Sequence, residues 1–360
     1  MEQKIPTISL CMIVKNEEDV IGRCLDSVQG IVDEIIIVDT GSNDGTKEIV
    51  KKYTSKLYDF PWIDDFAAAR NFAFNLATQN YILWLDADDV ILEADRERFI
   101  LLKNNLEPSV DSVTMHYHVA HDEKGRVIAS LRRNRLVKRS NHFKWIGAVH
   151  EYLEVGGFII NSDIAITHSA ISHDSDRNLC IYAERMAKGE PFSPRDLYYY
   201  ANELHDHGKH EESIKFYQQF LETKQGWIED NIAACGKLAD SFLVLNNLEK
   251  HLEYIFKSFT YDTPRAEFCC RLGSYYLQAN QLKQATFWYK MATDLEKPAD
   301  CLGMINHAYW TWIPHLQLCV CYNRLGNQEL SYKHNEIAAS FVPDHSAVLY
   351  NRRYFENLYN

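Results

Sequence analysis

The stretch Tyr81-Ile82-Leu83-Trp84-Leu85-Asp86-Ala87-Asp88-Asp89 decides how the first half of this chain is read. Five apolar residues in succession fit a strand buried on both faces, the kind found in parallel sheets. That strand runs straight into three carboxylates. Adjacent anions repel one another, and starting a helix needs only one capping carboxylate. In an open α/β sheet the ligand crevice lies beyond the carboxyl ends of the strands, where this cluster falls. Carboxylate oxygens there suit a hard divalent cation such as Mg²⁺ or Mn²⁺, held partly by the phosphates of a ligand. The competing reading is a capped turn with no ligand.

Upstream, β-branched runs alternate with amphipathic stretches, the pattern of a parallel sheet covered by helices. Ile8 to Val14 reads as a strand and about Glu18 to Val28 as a helix. Glu34 to Asp39 is a second strand, closed by Thr40-Gly41-Ser42-Asn43-Asp44-Gly45-Thr46 and followed by a helix to about Lys52. A short strand near Leu57 to Phe60 and a helix from about Phe66 to Leu76 complete the approach to Tyr81. The glycine-containing turn after Asp39 is neither a Walker A loop nor a dinucleotide fingerprint. Asp39 at that strand end can accept hydrogen bonds from a base or ribose. Lys15-Asn16-Glu17-Glu18 caps its helix or borders the same crevice.

Downstream, Val113 to Val119, Arg126 to Val137 and Phe158 to Ile166 read as strands extending the sheet in mixed fashion. Arg132, Arg133, Arg135, Lys138 and Arg139 are expected on a solvated edge, or in contact with a diphosphate or acceptor. Gly189-Glu190-Pro191 and Ser193-Pro194 mark a junction, giving a first domain over residues 1–175, a linker over 176–194 and a second domain over 195–360.

The second half reads as helices, with four frames of large and small residues at tetratricopeptide-like offsets. They are anchored on Tyr200, Leu238, Leu272 and Leu318. In the third frame Leu272, Gly273 and Tyr276 are answered by Ala285, Tyr289 and Ala292; in the fourth, Leu318, Cys319 and Tyr322 by Ser331, Asn335, Ala338 and Pro343. The anchors lie 38, 34 and 46 positions apart, against roughly 34 for an uninterrupted array, so some turns carry insertions. Most of the frame tyrosines should be core. The apolar terminus Tyr354-Phe355-Glu356-Asn357-Leu358-Tyr359 needs covering by its own helix or by a second copy of the chain, and a homodimer is the expectation.

The 360 residues are 46% hydrophobic and 24% charged, an ordinary globular balance. Thirty-eight basic against 50 acidic residues leave a net charge of -12, so bulk attraction to nucleic acid or anionic lipid is not expected. No run approaches the ~20 apolar residues of a membrane span and the first residues carry no apolar signal core, which predicts a soluble cytoplasmic protein. Nine scattered cysteines without paired spacing read as reduced and mostly buried.

Four segments in order, Cys-Met-Ile-Val-Lys-Asn-Glu-Glu (11–18), Ile-Val-Asp-Thr-Gly-Ser-Asn-Asp-Gly-Thr (37–46), Phe-Ala-Ala-Ala-Arg-Asn (66–71) and Leu-Trp-Leu-Asp-Ala-Asp-Asp (83–89), resemble the family 2 glycosyltransferases of GT-A fold over roughly residues 5–170. With a tetratricopeptide-like tail, the chain resembles the bacterial group that holds the S-glycosyltransferases of bacteriocin peptides, of sublancin and thurandacin type, and lipooligosaccharide glucosyltransferase relatives. The resemblance implies an α/β GT-A domain followed by an all-α repeat domain, and inverting transfer from a UDP-sugar, typically UDP-glucose. It implies that Val14 and Glu17 border the uridine, that Asp39 meets uracil or ribose, and that Arg70 reaches the nucleotide. Asp86 and Asp88 would form the DxD motif, with Asp88 the direct ligand of Mg²⁺ or Mn²⁺.

Two assignments stay open at this level. Trp145-Ile146-Gly147-Ala148-Val149-His150-Glu151 lies where the family carries its base, often as Glu-Asp, so the base is Glu151 or His150. His168 either completes the metal shell or is a hydrogen-bonded structural histidine. The expected acceptor is a peptide or protein, including a cysteine thiol. The alternatives are a lipid-linked or surface glycan, and a repeat scaffold with an inactive nucleotide-sugar domain.

Overall fold

In a computed structural model, which describes residues 5–169, 176–298 and 301–359, the chain divides into two compact units. The first comprises Met1–Phe192 with Asp300–Met304, the second Ser193–Ala299 with Ile305–Asn360.

The first unit opens with β1 (Ile8–Val14), α1 (Ile21–Ser27), β2 (Glu34–Asp39), α2 (Thr46–Val50), β3 (Leu57–Asp59), α3 (Phe66–Leu76) and β4 (Tyr81–Trp84). It continues with β5 (Asp89–Val90), α4 (Glu93–Asn105), β6 (Ser112–His121), β7 (Val127–Lys138), β8 (Lys144–Ile146), β9 (Tyr152–Glu154), β10 (Ile159–His168) and α5 (Arg177–Ala187). The sheet runs in the order β3-β2-β1-β4-β7-β6-β10-β5. The first four strands are mutually parallel, and β7 runs antiparallel to both β4 and β6. The strand β10 is parallel to β6. Val14 pairs with Asp39 and Cys11 with Trp84, so β1, β2 and β4 all end at one edge of the sheet.

Both faces of the sheet are covered, as the uninterrupted apolar strands require. Ile8, Leu10 and Met12 pack with Ile21, Leu25 and Phe99 on one side. Cys11, Ile36 and Val38 pack with Ala73, Phe74, Trp84 and Trp145 on the other. Small residues at Ala67, Ala69 and Ala73 let α3 lie close to the sheet, and Asp65 caps its start by accepting from Ala68 N–H at 2.8 Å.

Three details depart from the sequence expectation. The helix α1 starts at Ile21, because Glu18 is spent on the neighbouring loop, where its Oε2 accepts from Gly45 N–H at 2.6 Å. The stretch expected as a linker contains α5, whose Tyr182 is fully buried, and the first unit extends to Phe192. The basic run in β7 is not a solvated edge: Arg132 and Arg135 are buried.

The second unit is helical. The pairs α6 (Pro194–Asp206) with α7 (His210–Thr223), α8 (Ile228–Val244) with α9 (Leu248–Ser258), α10 (Ala266–Gln278) with α11 (Leu282–Asp294) and α12 (Trp312–Arg324) with α13 (Gln328–Phe341) form four hairpins. They are followed by α14 (Ser346–Tyr359). Ser193 and Asp196 form a capping box with Pro194 at the first turn of α6. Each sequence frame falls on one hairpin, and Tyr200, Tyr217 and Tyr289 are core while Tyr276 and Tyr322 are half-buried. The longest spacing is filled by a segment that includes the 3₁₀ turn His307–Trp310.

Phe355 of α14 is buried with its ring against Tyr332, while Tyr354 and Leu358 of the same stretch are exposed; the expected homodimer finds no support. Among the described residues no helix is long and apolar enough to cross a membrane. None of the nine cysteines is in a disulfide; seven are buried, Cys301 is intermediate and Cys180 is exposed.

Candidate active site

The carboxyl ends of β1, β2 and β4 carry the predicted residues to one edge, and side chains from two loops lock them there. Asn16 takes a left-handed conformation, φ 55°, and its N–H donates to Ser42 Oγ at 2.9 Å while its Oδ1 accepts from Asn43 N–H at 2.8 Å. Glu17 N–H donates to Thr46 Oγ1 at 2.7 Å. The loop after β1 is thereby fastened to the loop after β2.

Asp39 is 1% exposed, and its Oδ1 accepts from the N–H groups of Gly41 and Ser42, each at 2.9 Å. Burial works to raise its pKa, but the Ser42 and Gly41 hydrogen bonds with the Lys47 charge outweigh it, so Asp39 is held below the ordinary carboxylate range. Its Oδ2 has no hydrogen-bond partner among the described residues. Val14, at the end of β1, has its side chain in the core, and its carbonyl accepts from Thr40 N–H at 2.9 Å.

Arg70 is the centre of the site. Its Nη2 donates to Asp86 Oδ1 at 2.6 Å and its Nε to Glu151 Oε1 at 2.5 Å. The guanidinium lies against both the Trp84 and the Trp145 ring, 5.1 and 4.8 Å from their centroids. Asn71, the next residue of α3, exchanges two 2.9 Å hydrogen bonds with the Trp145 backbone and docks the 145–151 strip onto that helix. Ala148 O accepts from Phe66 N–H at 2.8 Å, and Gly147 and His150 take left-handed φ of 100° and 51°, which turns Glu151 back toward Arg70. Arg70 thus joins two carboxylates, Asp86 and Glu151, at the strand ends.

The three acidic residues after β4 have separate partners. Asp86 pairs with Arg70; burial would raise its pKa, yet Arg70 and Arg135 hold it well below the usual range. Asp89 is fully buried against Arg135 at 3.0 Å. Among the described residues Asp88 has no arginine or lysine partner; it faces His168, Nδ1 to Oδ1 3.4 Å. The neighbouring Asp88 and Asp89 push the His168 imidazole up to about 10, against the effect of burial, and Tyr117 Oη lies 3.0 Å from the same nitrogen.

One donor atom each from Asp88, Asp89 and His168 lies within 4.8 Å of the others. Glu17 is pushed up to about 7 by burial and then by the charges of Asp88 and Asp86. An imidazole with hard carboxylate oxygens, in a crevice with surplus negative charge, fits a divalent cation. Sequence reasoning missed Tyr117, the Trp84 and Trp145 rings around Arg70, and the Asp89 and Arg135 pair. The available signal was three arginines, Arg132, Arg133 and Arg135, crowded into a strand of the central sheet.

Residues 9–153 match the family model described as glycosyl transferase family 2. Over 88 residues the chain is 52% identical to a TPR repeat-containing protein of Synechococcus elongatus, covering 24% of this chain and 22% of that one. Over 238 residues it is 30% identical to the SPbeta prophage-derived glycosyltransferase SunS of Bacillus subtilis, covering 60% of this chain and 53% of SunS. The chain thus spans about half of SunS and less of the other relative. Against the crystal structure of S. aureus TarS 1-349 the identity is 16% and the TM-score 0.35, with 71% of this chain and 91% of that one covered. The first unit, a mixed α/β sheet, thus holds the stretch that matches the glycosyl transferase family 2 model, and tetratricopeptide-like helical hairpins follow it.

Proposed function

We propose that this glycosyltransferase domain moves a sugar from a UDP-sugar, UDP-glucose in the first instance, to a peptide or protein acceptor, with inversion at the anomeric carbon. The observation that carries the reading is the division of charge at the end of β4. Arg70 neutralises Asp86 and Arg135 neutralises Asp89, which leaves Asp88 beside His168 for a cation. Asp39, with one carboxylate oxygen unpartnered, stands at the adjacent strand end where the nucleoside would lie.

Asp88 and His168 would hold Mg²⁺ or Mn²⁺, and such an ion offsets the charge that develops on a departing nucleotide diphosphate. The protein's own part is to orient and to move a proton. Glu151, oriented by its ion pair with Arg70, accepts the proton of the incoming nucleophile. A single displacement without a covalent intermediate inverts the anomeric centre. A cysteine thiol, with a pKa of ~8.5, asks less of that base than an alcohol does. The motif resemblance to peptide S-glycosyltransferases and the helical hairpins support a peptide or protein as acceptor. With a cytoplasmic location, UDP-glucose and a reduced peptide would be available together.

Mass spectrometry of cysteine-containing and serine-containing peptides, incubated with the full chain, UDP-glucose and Mn²⁺, tests the reading. A hexose adduct with release of UDP supports it. Failure of the chain to bind UDP or any UDP-sugar, with or without the cation, overturns it.

A further inference from the structure

Arg135 is the largest fully buried side chain of the protein, with 0% of its surface exposed. It therefore cannot touch a diphosphate or an acceptor. Its placement comes from an irregularity in the sheet. Val113 pairs with Leu136 and Thr114 with Asn134, so Arg135 is an extra residue on β7, a bulge opposite β6. A bulge re-aims the side chain it carries.

Here the guanidinium lies 3.9 Å from the Trp84 ring centroid and 4.5 Å from that of Tyr117. Its Nη1 donates to Trp84 O at 3.3 Å and pairs with Asp89 Oδ2 at 3.0 Å. The same Asp89 oxygen accepts the Asp86 N–H at 3.0 Å, and Asp89 N–H donates to Asp86 O at 3.1 Å. Asp86 to Asp89 is thus a turn closed from both ends, with Arg135 beneath its last carboxylate. Tyr117, the other ring on the guanidinium, reaches His168.

Burying a lone carboxylate or a lone guanidinium is costly, and each is tolerated here because the other is present. We propose that Arg135 is a positioning residue for cation binding: it holds Asp89, Asp89 holds the Asp86 backbone, and the closed turn presents Asp88 and His168 to the ion. This rests on the donor-site reading above. Arg135 also supplies positive charge that lets three acidic residues stand together with their ligand-facing member, Asp88, next to His168 alone among the described cationic side chains. A single nitrogen, Nη1, serves both the strand-end carbonyl and the carboxylate, while the flat guanidinium fills the space against the Trp84 and Tyr117 rings, so a lysine keeps the charge but not that packing.

The test is calorimetric, on the full chain, with UDP titrated in EDTA and again in Mn²⁺. In the unsubstituted protein Mn²⁺ tightens UDP binding. In Arg135→Met that gain falls by about ten-fold or more, the scale seen when groups supporting a metal's ligands are removed, while binding in EDTA is unchanged. Arg135→Lys, which keeps the charge without the fork, recovers part of the gain. If Arg135→Met does not fold, Asp89→Asn/Arg135→Met, which buries no lone charge, takes its place with the same expected loss. A variant that folds and keeps the full Mn²⁺ gain overturns the proposal while leaving the donor site intact. Absence of any gain in the unsubstituted protein overturns the donor-site reading itself, and the proposal with it.

Discussion

Glu151 lies 2.5 Å from Arg70, a residue 81 positions earlier in the chain. The same guanidinium is 2.6 Å from Asp86, so one buried cation links the proposed base to the proposed donor site. A double-mutant cycle reads that link. Glu151→Gln should lower transfer strongly with UDP affinity within a few-fold, because a base acts on the acceptor. Arg70→Met should weaken both, because it frees Asp86 as well. The double variant should be less impaired in transfer than the sum of the singles, since groups in one network do not act independently. Collapse of UDP affinity in Glu151→Gln would place Glu151 in the donor site and shift the base to His150.

Asp88→Ala should remove cation-dependent turnover of UDP-glucose by roughly 100-fold or more without unfolding the chain. Asp88 is partly exposed and among the described residues its one ion-pair partner is the half-buried His168, so its loss strands no fully buried charge. UDP release assayed with Mn²⁺ and with excess chelator checks this. Full activity in chelator would contradict it.

Glu34 predicts a pH dependence of stability. Its side chain is buried at the start of β2, where it accepts from Thr78 N–H at 2.9 Å and from Thr78 Oγ1 at 2.8 Å, with Ser9 and Lys56 also bound. Burial would raise its pKa, but the Lys56 and Ser9 hydrogen bonds lead the groups that bring it down to about 2. A folded pKa below the unfolded one gives stability that is present above pH ~4.5 and is lost as pH falls toward 2. The shift corresponds to roughly 3 kcal/mol. Urea unfolding of the chain and of Glu34→Gln at pH 7 and pH 3 should show the variant weaker at pH 7 and less sensitive to the drop.

Gly273→Ala should destabilise the chain although alanine is the better helix former by about 1 kcal/mol. A methyl at Gly273 would meet the buried Tyr289 ring at 2.7 Å. Overpacking of that kind costs about 1–3 kcal/mol, so the clash wins. A lowered denaturation midpoint by helical circular dichroism is the expected result, and an unchanged or raised one would show that the ring yields.

The helical repeats were legible because their packing repeats along the chain. Leu272, Gly273, Ala285 and Tyr289 recur at offsets fixed by the hairpin itself, so periodicity alone located the buried faces. The last hairpin was equally readable from Leu318, Ser331 and Ala338, all buried. The helix α4 escaped notice, since it buries only Asp95 and Phe99 and shows almost no apolar stripe.

The sequence by itself determined the alternation of strands and helices, the carboxylates at the ends of β2 and β4, and the four repeat frames, because each follows from residues close together in the chain. The tertiary structure alone decided which carboxylate stands open. Asp86, Asp88 and Asp89 look alike in sequence, and they differ because Arg70 comes from α3 and Arg135 from a bulge in β7. Those pairings depend on sheet order and on a one-residue slip of register, which change the side chain's direction without changing the local pattern of apolar and polar residues.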